Sequence, residues 1–190
     1  MPSHFYAMLS RMKNIYRWGL MRNVKAESLS EHSIETAFVA HALAIIENRR
    51  FGGNYDPNYV AAAALFHDTG EIITGDMPTP VKYYNEDIKT AYKKIEQAAE
   101  TRLLSLLPPD MREDYVPLYS PDKETAKLVK AADKISALIK CTEERNMGNR
   151  EFSAAAESTR RAVEEMQLPE AQVFLDEFME SFSLTLDEQQ

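Results

Sequence analysis

Residues 64–80 read ALFHDTGEIITGDMPTP, and an apolar, alanine-rich run that closes on a histidine beside an aspartate sets the terms for the whole chain. Upstream, Asp56 followed by Pro57 forms a good cap and first-turn pair, so the spacing predicts a helix running from there through Glu71. On such a helix His67, Asp68 and Glu71 share one side, because residues three and four apart are neighbours. Burying an imidazole and a carboxylate among Ala, Leu and Phe is costly unless something compensates them. A divalent transition metal does so, since neutral imidazole and ionised carboxylate are both good ligands for it. Taken alone, the doublet also fits a helix-end histidine followed by a capping aspartate.

Working outward, apolar positions recur at helical spacing and no sustained alternation of strand type is found, which makes the chain all-α. Ser3 can cap a first helix with Phe5, Met8, Leu9, Met12 and Ile15 on one face. Ser28 and Glu31 stand in capping-box spacing before a second helix reaching about residue 48. Pro78 and Pro80 hold GDMPTP (75–80) in an extended loop. A long amphipathic helix carrying Ile88, Tyr92, Ile95, Ala99, Leu103 and Leu106 follows, then a proline-rich connection over 108–121. Helices at about 123–146, 151–166 and 169–181 complete a bundle of about six or seven. The length of 190 residues suits a single domain over 1–190.

Charge and cysteine content exclude several classes. The formal net charge is −8, which argues against a general nucleic-acid binder. Yet residues 1–26 hold Arg11, Lys13, Arg17, Arg22 and Lys25 without one acidic residue, a pattern that fits a local anion site or a solvated basic face. Cys141 is the single cysteine, so an intramolecular disulfide and a cysteine-rich zinc site are excluded. The N-terminal segment lacks the form of a signal peptide, no window approaches a membrane span, and the expected location is cytoplasmic.

Two further residues extend the doublet. His32 lies in the first turn of the second helix, in SEHS (30–33), and Asp133 lies inside KAADKISALIK (130–140), where an unpaired carboxylate is unfavourable. Glu71 is placed to orient or deprotonate an attacking water. His41, nine residues after His32, falls on the opposite helical face and is not expected to be a ligand; His4 lies near the terminus.

The order His32, His67–Asp68, Asp133 resembles the HD-domain phosphohydrolase superfamily. From SHF (3–5) to FSLTLDE (182–188) the chain is similar to its bacterial 5'-deoxynucleotidases, with Arg17 and Trp18 in RWGLMRNV, His32, Glu71, and Asp76 in TGDMPTPVKY at motif positions. The resemblance implies an HD-domain helical bundle forming a homodimer that hydrolyses deoxyribonucleoside 5'-monophosphates with one divalent metal per chain, cobalt or manganese. The metal set is His32, His67, Asp68 and Asp133; Glu71 and Asp76 are catalytic. Arg17, Trp18, His32, Asp76, Thr79 and Lys82 contact substrate: Arg17 by forking onto phosphate, Trp18 by bounding the sugar. Gly70 departs from the family pattern and would loosen the turn that bears Glu71. Hydrolysis of a guanosine polyphosphate or cyclic nucleotide is the rival enzyme reading, and a binding module with a purely structural metal is the non-enzyme one.

Overall fold

In the computed structural model, which describes residues 2–82 and 84–190, the elements follow as α1 (Phe5–Leu9), α2 (Leu29–Ile46), α3 (Pro57–Phe66), α4 (Glu71–Thr74), α5 (Thr79–Lys82), α6 (Glu86–Ser105), α7 (Arg112–Tyr119), α8 (Lys123–Asn146), α9 (Ser153–Glu164) and α10 (Pro169–Glu177). The described residues form no strand; Tyr16 and Ser28 make one isolated antiparallel bridge. Local signals place the central helices where the sequence puts them. Ser28 and Glu31 close a full capping box on α2, and the Asp56 carboxylate accepts from the Asn58 and Tyr59 amides ahead of Pro57.

The core lies where α2, α3 and α8 meet. Ala40, Ala44, Ala63, Ala64, Ala131 and Ala132 are all buried there beside Leu43, Val60, Leu128, Ile135 and Ile139. Small side chains let the three backbones approach closely, which sets the distances available to the polar groups between them. A second cluster, Phe5, Leu103 and Leu107 with Phe66, Tyr115 and Tyr119 against it, pins the N-terminus to α6 and α7. Ser3 Oγ donates to the Leu106 carbonyl at 2.7 Å.

Four expectations need correction. α1 is short: His4, not Ser3, is its N-cap, and the chain tightens into a 3₁₀ turn over Ser10–Asn14, so Ile15 lies outside it. The helix from Pro57 stops at Phe66; His67–Gly70 are a turn, and Glu71 opens α4. Residues 75–80 are not extended throughout, since Thr79–Lys82 form the helical turn α5. The connection over 108–121 contains α7 despite Pro117. There packing overrides the proline: Tyr115 packs edge-on and Tyr119 tilted against Phe66, and the Pro117 carbonyl accepts from Tyr59 Oη at 3.0 Å.

Ahead of α2 the chain is fastened to α8 by a buried ion pair. Lys140 and Glu144, one turn apart and 4% and 0% exposed, bond each other, while Glu144 accepts from the Val24 and Lys25 amides and from Asn149 Nδ2. Lys140 also donates to the Lys25 carbonyl. This fastens residues 22–25, and with them the segment bearing Arg17 and Trp18, to the helix that carries Asp133. Removing one partner leaves an uncompensated buried charge, so Glu144→Ala is expected to lower the unfolding free energy by about 3–5 kcal/mol. Urea titration measures it; a loss no larger than a surface substitution would show that the pair contributes little.

Candidate metal centre

Each of the three packed segments delivers donors to one point. His32 comes from the first turn of α2, His67 and Asp68 from the turn ending α3, and Asp133 from the middle of α8. One ligand atom from each lies within 4.8 Å of all the others. His32 Nε2 stands 3.1 Å from Asp133 Oδ1 and 3.7 Å from Asp68 Oδ2, and His67 Nε2 stands 3.1 Å from Asp68 Oδ2. Asp68 lies in the turn His67–Gly70 that follows α3, and its Oδ2 reaches His32 on α2. Gly75, at φ +74 and ψ 161, ends α4 in a conformation an L side chain rarely adopts and sends the chain into Asp76–Pro78.

The donor set fits a divalent metal. His67 Nδ1 donates to the Ala64 carbonyl at 2.7 Å, which turns Nε2 inward, where it is buried without a hydrogen bond of good geometry. Ligand bonds of about 2.1 Å span about 4.2 Å across a metal, so a cluster this compact needs little closure. Electrostatics agree. Although burial works against it, Asp68 and Asp133 raise His67 well above the ordinary imidazole value. Burial likewise opposes ionisation of Asp68, but His67 holds its carboxyl at about 2, and the two histidines hold Asp133 well below the carboxylate range. Protons fill the role of a cation, so metal must displace them and its affinity falls as pH falls.

Beside the four donors stands Arg17, with Trp18 joined to it through Glu27. Arg17 Nη1 lies 3.3 Å from Asp68 Oδ2 and Nε lies 3.3 Å from Glu27 Oε2. Its guanidinium stays charged because Asp68, Asp133, Glu27 and Asp76 outweigh burial. Trp18 donates Nε1–H to the same Glu27 oxygen at 2.8 Å, packs on Phe152 at 5.3 Å, and adopts φ +60, a left-handed conformation uncommon outside glycine. Glu71 is buried, with Oε2 unpartnered, and burial followed by the charges of Asp68 and Asp76 pushes it up to about 9 against Arg17 and Lys82. Lys82 instead pairs with Glu96 at 2.8 Å over the Tyr92 ring, and Thr79 is exposed on α5. His41 and His4 stay outside the cluster.

Glu27 is the residue sequence reasoning missed. The available signal was its place as the first acid after the basic segment 1–26.

The sequence profile described as "5'-deoxynucleotidase YfbR-like" matches residues 4–182. The chain belongs to the YfbR-like 5'-deoxynucleotidase family. A curated 5'-deoxynucleotidase of Photobacterium profundum is 52% identical over 98% of this chain and 97% of its own length. Among solved structures, an HD-domain phosphohydrolase of Listeria innocua matches with a TM-score of 0.81 at 22% identity, covering 94% of this chain and 88% of that one. A cyanophage S-2L HD phosphohydrolase, described as bound to dA and one catalytic Zn2+ ion, matches with a TM-score of 0.66 at 16% identity over 92% and 96% of the two chains. These likenesses establish the HD fold for this member of the 5'-deoxynucleotidase family.

Proposed function

We propose that His32, His67, Asp68 and Asp133 hold one divalent transition metal, cobalt or manganese, and that Arg17, Trp18, Glu71 and Asp76 act around it. As a 5'-deoxynucleotidase family member the chain is a metal-dependent phosphomonoesterase, hydrolysing deoxyribonucleoside 5'-monophosphates to deoxyribonucleosides and phosphate. One observation carries the assignment of residues: four donors within 4.8 Å of one another, with a charged guanidinium 3.3 Å from one of them. A metal in that position supplies a Lewis acid that acidifies water and offsets phosphate charge. Everything else falls to side chains.

Arg17, its plane fixed by Glu27 and Asp68, receives the phosphate oxygens. Glu71 takes a proton from the attacking water at its unpartnered Oε2, which requires the ionised form. As the new oxygen–phosphorus bond forms, the bond to the sugar 5' oxygen breaks, and that oxygen needs a proton. Asp76, whose charge acts on both Glu71 and Arg17, either supplies the proton or holds the sugar. The reaction is governed by positioning and charge rather than covalent chemistry. His32 acts on substrate only through the metal; Thr79 and Lys82, set back on α5, hold the nucleotide's outer end.

Trp18 gives the preference for deoxyribose, its ring closing the space a 2' hydroxyl needs. The deciding experiment is phosphate release from dAMP and AMP by metal-stripped protein, with cobalt, manganese, magnesium or zinc restored. Cleavage of dAMP alone is expected. Trp18→Ala should then lower the dAMP/AMP ratio of kcat/KM by about tenfold or more, the scale of one lost steric contact. If neither nucleotide is cleaved with any metal, the substrate assignment fails.

The same reading includes one unit over 1–190, working as a homodimer in the cytoplasm. On α2, Ile34, Phe38 and Ile45 are 50%, 72% and 40% exposed at helical spacing, an apolar stripe suited to a second copy. No helix among the described residues is long and apolar enough to cross a membrane.

A further inference from the structure

The two histidines of the metal set are oriented by different means. His67 uses the carbonyl of its own helix. His32, 0% exposed, instead has Nδ1 3.1 Å from Ser136 Oγ, and Ser136, also 0% exposed, donates its hydroxyl to Glu35 Oε2 at 2.6 Å. The arrangement is built from two helical i, i+3 pairs that face each other. His32 and Glu35 lie on α2, and Asp133 and Ser136 lie on α8.

A serine hydroxyl has one proton. With that proton given to an ionised Glu35, Ser136 Oγ accepts from His32 and Nδ1 carries the ring hydrogen. The lone pair of neutral His32 is then confined to Nε2, the atom 3.1 Å from Asp133 and 3.7 Å from Asp68. Were Glu35 absent, the hydroxyl could turn round and donate to Nδ1. That would stabilise the tautomer with hydrogen on Nε2, which cannot bind metal.

We propose that Ser136 and Glu35 are positioning residues that fix the metal-binding tautomer of His32, a relay spanning α2 and α8. It rests on the metal reading above. Outer partners of ligating histidines commonly contribute tenfold to a hundredfold to metal affinity.

The test is the Kd for Mn2+ of metal-stripped native protein and of Ser136→Ala, Glu35→Ala and Glu35→Gln, by competition with a chromophoric chelator. Far-UV dichroism of each metal-free protein verifies folding. Ser136→Ala and Glu35→Ala are expected to weaken binding by about tenfold or more. Glu35→Gln, whose amide oxygen still accepts from Ser136, should stay near the native value. Folded Ser136→Ala and Glu35→Ala proteins that bind Mn2+ as tightly as the native one would overturn the relay. Native protein that binds no metal would instead overturn the metal reading.

Discussion

Glu71→Gln should reduce kcat for dAMP by about a hundredfold to ten-thousandfold, the range of a lost general base, while Mn2+ and nucleotide still bind. The substitution keeps the shape of the side chain and removes its capacity to take a proton, so it separates base chemistry from packing. Glu71 is well suited to that role, because burial and the neighbouring Asp68 and Asp76 raise its proton affinity far above that of a solvated carboxylate. The sign of the pH dependence follows. A base with a raised pKa is protonated and inactive at low pH, so kcat/KM should climb as pH rises, over a range above the ordinary carboxylate value. A metal cation or Arg17 nearby pulls that range downward without reversing its direction. Native turnover that is flat from acid to alkaline pH, or a Glu71→Gln protein with undiminished kcat, would remove Glu71 from the mechanism.

The second large effect concerns Asp133. Asp133→Ala removes a donor from the centre of α8 and leaves His32 Nε2 without its nearest partner at 3.1 Å. Loss of measurable metal binding, and with it of phosphate release, is the expected result. Chelator treatment of the native protein should give the same inactive state, reversible by cobalt or manganese. Since Asp133 is about one-third exposed in a helix held by Leu128, Ala132 and Ile135, the variant should still fold. Equilibrium dialysis with Mn2+ decides the matter; an Asp133→Ala protein that retains metal at native affinity and full turnover would show the cluster to be incidental.

What could be read from the sequence follows the reach of each signal. Ser28 with Glu31, and Asp56 with Pro57, act over one helical turn, and both caps form as written. The stripe of α8 likewise predicts its own burial, and the convergence of His32, His67, Asp68 and Asp133 could be anticipated because unpaired polar groups in apolar helices demand a common partner. Failures occur where distant contacts decide. Pro117 signals a break, but Tyr59 and Phe66 of α3 hold α7 in place through the Pro117 carbonyl and the rings of Tyr115 and Tyr119. The helix that would carry Glu71 in line with His67 ends early at Phe66, and Gly70, facing Glu96 and Glu100 on α6, is part of that turn. Glu27 joins Arg17 to Trp18 only after the chain has turned back through the Tyr16–Ser28 bridge. Nothing in the order of residues indicates that Ser136 is within reach of Glu35.

Because the four donors lie on three stretches of chain far apart in sequence, the unfolded polypeptide has no equivalent site. Any metal that binds only the native form adds RT ln(1 + [M]/Kd) to its stability, about 2.7 kcal/mol when the free ion is a hundredfold above Kd. The midpoint of thermal unfolding is therefore a function of ion concentration. Scarcity of the ion would shorten the life of the chain as well as silence it, and the protein's abundance would follow the supply of its own cofactor.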